Sequence, residues 1–257
     1  GVLLPPLPLP PAGSAGLLGM SADGRGVTRW PVGEPVSPAD PEAAPWEETA
    51  VLLARLHAVR PDELPGPLPP MRGPAKVARA IARMRAVDPS GSSAATLAVL
   101  RGWSRLPDWV RYEGARPALT GVTGLCHGDL HLGQLVRHPA PDGAWLLIDI
   151  DDLGLGDPAW DLARPAAWYA TGLLAPEVWT RFLDAYRAAG GRAVPRDGDP
   201  WPRLDVPARA LTVQSAALAL ARADAGSRPL DEDEQALVDA CARMASLPAE
   251  LAAESAS

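Results

Sequence analysis

Lysine is almost missing from this chain: Lys76 is the only one in 257 residues. Arginine carries the remaining basic charge but does not balance the acids, so the net charge is −7 and the isoelectric point about 5.1. A nucleic-acid binder needs a basic footprint to neutralise phosphates, and that class is excluded. Cysteine is nearly absent too. Cys126 and Cys241 lie far apart and fit no metal or disulfide spacing, so a reducing, cytoplasmic setting is the default. No apolar run reaches the roughly 18 residues of a membrane span, and no membrane partner is expected. Residues 1–10 are apolar but broken by proline and lack a basic start, so they do not read as a signal peptide. Phe and Tyr are scarce, with one and three copies against nine Trp.

What remains is ample for a core. Hydrophobic residues make up 47% of the chain, and its length permits one large domain with or without a small appended lobe. Much of the proline falls in the first 75 residues, and residues 1–15 read as loop or linker. Residues 16–20 and 26–30 flank Asp23-Gly24, a hairpin signal. Helical spacing of Leu52, Leu53, Leu56 and Val59 predicts a helix over 46–59, with two Glu in its first turn. Further helices are predicted at 75–87, 92–109 (capped by Ser92 or Ser93), 158–170, 176–189, 205–224 and 231–246. The acidic run Asp231–Glu234 reads as a solvated helix start. Trp160, Trp168, Trp179 and Trp201 read as core. Between the helices, residues 134–138 and 145–149 flank Pro139–Gly143 and predict a β-hairpin.

Chemistry-bearing residues cluster around that hairpin. His127-Gly128-Asp129-Leu130-His131-Leu132-Gly133-Gln134 comes first, then Leu147-Ile148-Asp149-Ile150-Asp151-Asp152, then Gly154 to Ala163 with Asp157-Pro158 and Asp161. Phosphoryl transfer needs a carboxylate to orient the acceptor hydroxyl, and oxygen ligands to hold Mg²⁺ against the phosphates. The hairpin folds Gln134 and Asp149 toward one another, so both reach one metal while Asp129 stays free. Taken singly, each residue has a plainer reading. Asp129 can cap a turn after Gly128. Asp149, as the buried end of an apolar strand, needs either a metal or an ion-pair partner. Asp151 and Asp152 shape the metal site or sit on a solvated loop. Asp157 fits an N-cap with Pro158 at N1. Asp161 and His127 read as loop braces, and His131 as an exposed contact for substrate or phosphate.

Together, in this order, the three segments closely resemble the aminoglycoside phosphotransferase and choline-kinase-like family. The resemblance implies an α+β, protein-kinase-like fold of two lobes: a truncated, strand-containing N-lobe over 1–36 and a mostly helical C-lobe over 37–257. It implies Asp129 as the catalytic carboxylate, with Gln134 and Asp149 as Mg²⁺ ligands. Gln134 stands where the family usually has Asn. Residues 16–30 resemble the last N-lobe strands. Thr28–Val32 resemble the hinge, so Thr28, Arg29, Trp30 and Val32 would meet the adenine of ATP or GTP. No Gly-rich phosphate loop, strand Lys or paired helix Glu is found, and Lys76 lies too far past the hinge to serve.

The implied activity is Mg²⁺-dependent transfer of a γ-phosphate to a hydroxyl of a small molecule: an aminoglycoside-like antibiotic, a sugar or an amino alcohol. The arginine- and alanine-rich composition hints at antibiotic resistance or secondary metabolism. Two alternatives stand beside it: a peptide Ser or Thr as acceptor, and a pseudokinase-like scaffold that binds a partner protein.

Overall fold

The computed structural model describes residues 1–9, 16–17, 19–21, 23–37, 44–111 and 123–246. Among the described residues three small antiparallel sheets accompany a helical body. Strands β1 (Gly19–Met20) and β2 (Gly26–Val27) pair across the Asp23-Gly24 turn, a shorter hairpin than the sequence predicts. The expected hairpin of the central motif forms from β5 (Leu135–His138) and β6 (Ala144–Leu147), in the register Leu135↔Leu147. β3 (Glu34–Pro35) extends it on the β5 side, giving the order β3-β5-β6. β4 (Gly124–Cys126) and β7 (Gly154–Gly156) form a separate pair.

The N-terminal segment departs from its expected role as a linker. The Leu4 N–H donates to the Leu147 carbonyl at 2.9 Å, and the Leu147 N–H donates to the Val2 carbonyl at 2.9 Å. β6 would otherwise present an unpaired edge, and this segment covers it. Leu4 is buried with Val136 and Leu146, and Trp30 and Ile148 pack against them. Pro5 and Pro6 lack an N–H, so the pairing stops there. Residues 10–15 of the expected linker lie outside the described residues.

The helices follow the apolar spacing, and proline sets where they break. α1 (Trp46–Ala58) buries Leu52, Leu53 and Leu56 and starts with Glu47 and Glu48, which suit the positive end of the helix dipole. α2 (Gly73–Val87) begins two residues earlier than predicted, because Pro74 is tolerated in a first turn. The predicted helix over 92–109 is cut in two. α3 (Ala94–Ser104) is capped by Ser93, whose side chain accepts from the Thr96 N–H at 3.0 Å. α4 (Asp108–Arg111) restarts after Pro107, which has no N–H with which to continue the helix. The predicted helix at 158 opens as a 3-10 turn, Pro158–Trp160, before α5 (Ala163–Thr171). α6 (Pro176–Ala188) and α8 (Glu232–Ser246) lie close to expectation.

α7 (Trp201–Ala225) is the central helix. It starts four residues before the predicted 205, with Pro202 in its first turn. Its many small residues let neighbours approach closely, and α2, α3, α5 and α8 all pack on it. Trp160 and Trp179 are buried, while Trp168 and Trp201 are half-buried against the core. Among the described residues no helix is long and apolar enough to cross a membrane.

Candidate active site

The loop between β4 and β5 is fixed from beneath by one carboxylate. Asp161 is 1% exposed and accepts from the backbone N–H of His127 at 2.6 Å and of Gly128 at 2.8 Å. It also meets Nε2 of His57, fully buried on α1, at 3.0 Å. The other nitrogen of His57 lies 2.7 Å from the Tyr186 hydroxyl, which itself accepts from the Ala193 N–H at 3.0 Å. That hydroxyl therefore donates to His57 Nδ1, and His57 Nε2–H donates to Asp161. Burial pushes the Asp161 carboxyl upward, but the His57 bond, His57 and His127, and the Gly128 N–H outweigh it and leave the carboxyl below its usual range.

Gly128 is held at φ +82°, and a Cβ there would lie 2.3 Å from the Asp152 carbonyl oxygen. Backbone, not a flexible side chain, fills that space. Gly128→Ala is therefore expected to cost about 1–3 kcal/mol and to lower turnover by displacing the next residue, Asp129. A thermal melt together with a turnover assay checks both parts.

His127 ties the loop to the hairpin: its Nε2–H donates to the Ile148 carbonyl at 2.8 Å. The next residue, Asp149, turns into the left-handed region at φ 61°, and the chain leaves the strand direction there. Asp149 is consequently exposed, not buried, so burial alone does not demand a metal. Gln134 is buried, and its amide donates to Oδ2 of Asp149 at 2.8 Å. A carboxylate and a carboxamide oxygen are hard donors. They match the one or two protein ligands that Mg²⁺ takes when phosphates and water complete its shell. To present its oxygen, Gln134 must turn its amide over. No group of three or more His, Cys, Asp or Glu side chains converges on a cation position among the described residues.

Asp129 is not free. Oδ1 meets Arg164 of α5 and Oδ2 meets Lys76 of α2, each at 3.2 Å. The Lys76 ammonium also donates to the Gly128 carbonyl at 3.1 Å and pairs with Asp152, which Arg72 holds from its other side. Asp152 is thus engaged, whereas Asp151 is exposed. Burial raises the Asp152 carboxyl, but its bonds to Lys76 and Arg72 more than reverse this, and the group lies below its usual range.

Sequence reasoning missed Lys76, Arg72, Arg164 and His57. The first two reach the loop because the Pro-rich crossing runs alongside β7: the Leu155 N–H donates to the Pro69 carbonyl and the Met71 N–H to the Leu155 carbonyl, both at 2.8 Å. Gly156 permits that approach, since a Cβ there would lie 2.1 Å from the Met71 side chain. The available signal was chemical rather than periodic: the chain's one lysine follows this crossing directly.

The remaining sequence candidates divide. His131 is half-buried, and its Nδ1 accepts from the Gly133 N–H at 3.0 Å. Burial first and Arg164 next lower its proton affinity below that of a free imidazole. Asp157 accepts from the Ala159 N–H at 3.0 Å and pairs with Arg203 at 2.9 Å. Burial leaves its carboxyl above the usual range despite these contacts.

Of Thr28, Arg29, Trp30 and Val32, Trp30 borders the hairpin by packing against the cluster of Leu4, Val136 and Leu146. Two carbonyls of this segment are engaged: Arg29 accepts from the Leu7 N–H at 2.7 Å, and Val32 lies 3.2 Å from His138 Nδ1. Thr28 accepts from the Trp30 indole at 2.9 Å.

A helical body, a short hairpin and a braced aspartate loop together define a kinase-like fold. The family model described as "Phosphotransferase enzyme family" matches residues 6–205, and the chain belongs to that family. No curated protein matches it in sequence. A choline kinase from Cryptosporidium parvum Iowa II superposes with a TM-score of 0.58 at 11% identity, over 88% of this chain and 72% of that one. A choline/ethanolamine kinase family protein from Mesorhizobium loti gives 0.50 at 16% identity, over 96% and 75%. A macrolide 2′-phosphotransferase from Brachybacterium faecium gives 0.41 at 24% identity, over 96% and 68%.

Proposed function

We propose that this protein transfers the γ-phosphoryl group of a nucleoside triphosphate to a hydroxyl of a small molecule, with Mg²⁺. One observation carries the reading. The Asp129 loop is bound from below by Asp161 and sideways, through His127, to Ile148, the residue before Asp149. A carboxylate for the acceptor and an oxygen pair for a metal are thereby held in one rigid unit, and positioning is most of what phosphoryl transfer asks of a protein.

In this reading Asp129 orients the acceptor hydroxyl and receives its proton as the new bond forms. Asp149 and Gln134 would hold the metal, which neutralises phosphate charge when bound. The segment around Thr28–Val32 would border the base. Residues 1–36 correspond to the end of an N-lobe and residues 37–257 to the C-lobe. A nucleoside-triphosphate requirement implies a cytoplasmic enzyme.

The test is titration of ATP with Mg²⁺ into the wild type and into Asp149→Ala. Saturable, Mg²⁺-dependent binding is expected in the wild type, with a loss of about tenfold or more in the variant. Equal binding by both proteins removes Asp149 from the metal site. Absence of binding by the folded wild type overturns the phosphotransferase reading.

A further inference from the structure

Beside Asp129 lies a cleft whose lining includes Lys76, Trp160, Arg164, Leu211 and Gln214. Gln214, from α7, is 6% exposed and hydrogen-bonds to no described residue. Its amide is not sealed from solvent, and one that lines a cleft without a protein partner is placed to bond whatever enters.

The charges around it are arranged unusually for a protein with an excess of acids. Asp129, which lines the cleft, and Asp152, which shares Lys76 with it, are already paired internally, the first with Lys76 and Arg164, the second with Lys76 and Arg72. The Lys76 ammonium has three N–H groups and three oxygen partners, Asp129, Asp152 and the Gly128 carbonyl. Three cations thus face two carboxylates. An acceptor rich in ammonium groups needs unpaired carboxylates to replace its hydration, and here an internal lysine occupies that position.

We propose that Lys76, Arg164 and Gln214 form an acceptor subsite that takes an uncharged, hydroxyl-rich molecule and turns polyamines away; this deepens the phosphotransferase reading and rests on it. A hydroxyl both donates and accepts, as the free Gln214 amide does. Trp160 and Leu211, both buried, are part of the cleft's apolar lining. Lys76 selects by repulsion, excluding the wrong acceptor without needing to contact the right one.

The experiment has two arms. Kanamycin, a polyamine, is titrated at neutral pH and low salt into the wild type, Lys76→Met, Lys76→Arg and Gln214→Glu. Turnover of ATP is then compared on glucose, maltose and myo-inositol against kanamycin and glucosamine. The wild type and Lys76→Arg are expected to bind kanamycin weakly, while Lys76→Met and Gln214→Glu gain about tenfold or more. Gln214→Glu keeps the test intact should Lys76→Met fail to fold. Turnover is expected on an uncharged sugar, at about tenfold or more above either amine. Wild-type binding of kanamycin as tight as the variants', or greatest turnover on an amine, overturns the proposal. Turnover on none of the uncharged sugars, by a protein that binds ATP, overturns its acceptor class. The kanamycin titration involves no nucleotide, so its outcome is separate from the ATP titration that decides the phosphotransferase reading.

Discussion

Asp129→Asn is expected to lower turnover by about two to four orders of magnitude, the usual contribution of a positioned acid–base group, while leaving the fold almost as stable. The two effects separate because of where the carboxylate sits. Its side chain is 32% exposed, and its partners Lys76 and Arg164 are 15% and 18% exposed. Ion pairs of this partly solvated kind contribute only about 0–1 kcal/mol, and asparagine keeps the shape and one oxygen acceptor. The expected rate loss corresponds to about 3–5 kcal/mol of barrier. Turnover at saturating substrate and a melting curve on the same preparation decide the point. A loss below about tenfold with an unchanged melting temperature would show that the acceptor is oriented by something else.

The second large effect is on stability. Asp161→Ala leaves the N–H groups of His127 and Gly128 and the Nε2–H of His57 without their acceptor, in a site where His57 and His127 are fully buried. Each buried donor left unmade costs about 1–3 kcal/mol, and with local relaxation the total should fall near that of breaking a buried pair, roughly 3–5 kcal/mol. For a chain of this size that is a fall of about 6–20 °C in melting temperature.

The same residue contributes to the acid limb. Its carboxyl is depressed in the folded state, so its stabilisation is present above the unfolded value near 3.9 and is lost as the pH falls through the lower folded value. Acid unfolding of the wild type should therefore steepen below about pH 4, and Asp161→Ala should flatten that limb. Urea midpoints measured across this range test it. A variant with wild-type stability at neutral pH would mean that other groups carry the loop.

The sequence made some of this arrangement readable because parts of it are local. Leu52, Leu53 and Leu56 mark the α1 face that is buried, and the turn Pro139–Gly143 brings Gln134 and Asp149 together as its flanks require. Proline decided the breaks: Pro107 divides a periodic stretch that the pattern alone would run together. What could not be read depends on distant pairs. The His57–Asp161 bond joins residues 104 apart in the chain, and neither carries a local mark of the other.

The path of residues 61–72 has no period at all, so nothing in it announces that Lys76 will arrive at Asp129. Asp149 seemed buried because it follows an apolar strand, and its left-handed turn out of that strand is a backbone event the side-chain pattern does not record. The leading segment has too much proline to read as a strand. The two bonds it makes to Leu147 come from the needs of the β6 edge rather than from its own propensity.

Because Lys76 is the sole lysine and its ammonium rests on Asp129, the protein carries a built-in spectroscopic reporter. Lysine labelled with ¹³C and ¹⁵N would give a single set of side-chain resonances, without the overlap that usually obscures such groups. That signal comes from the cleft itself and would register each arrival of nucleotide or acceptor as a shift, with no probe attached and no residue replaced.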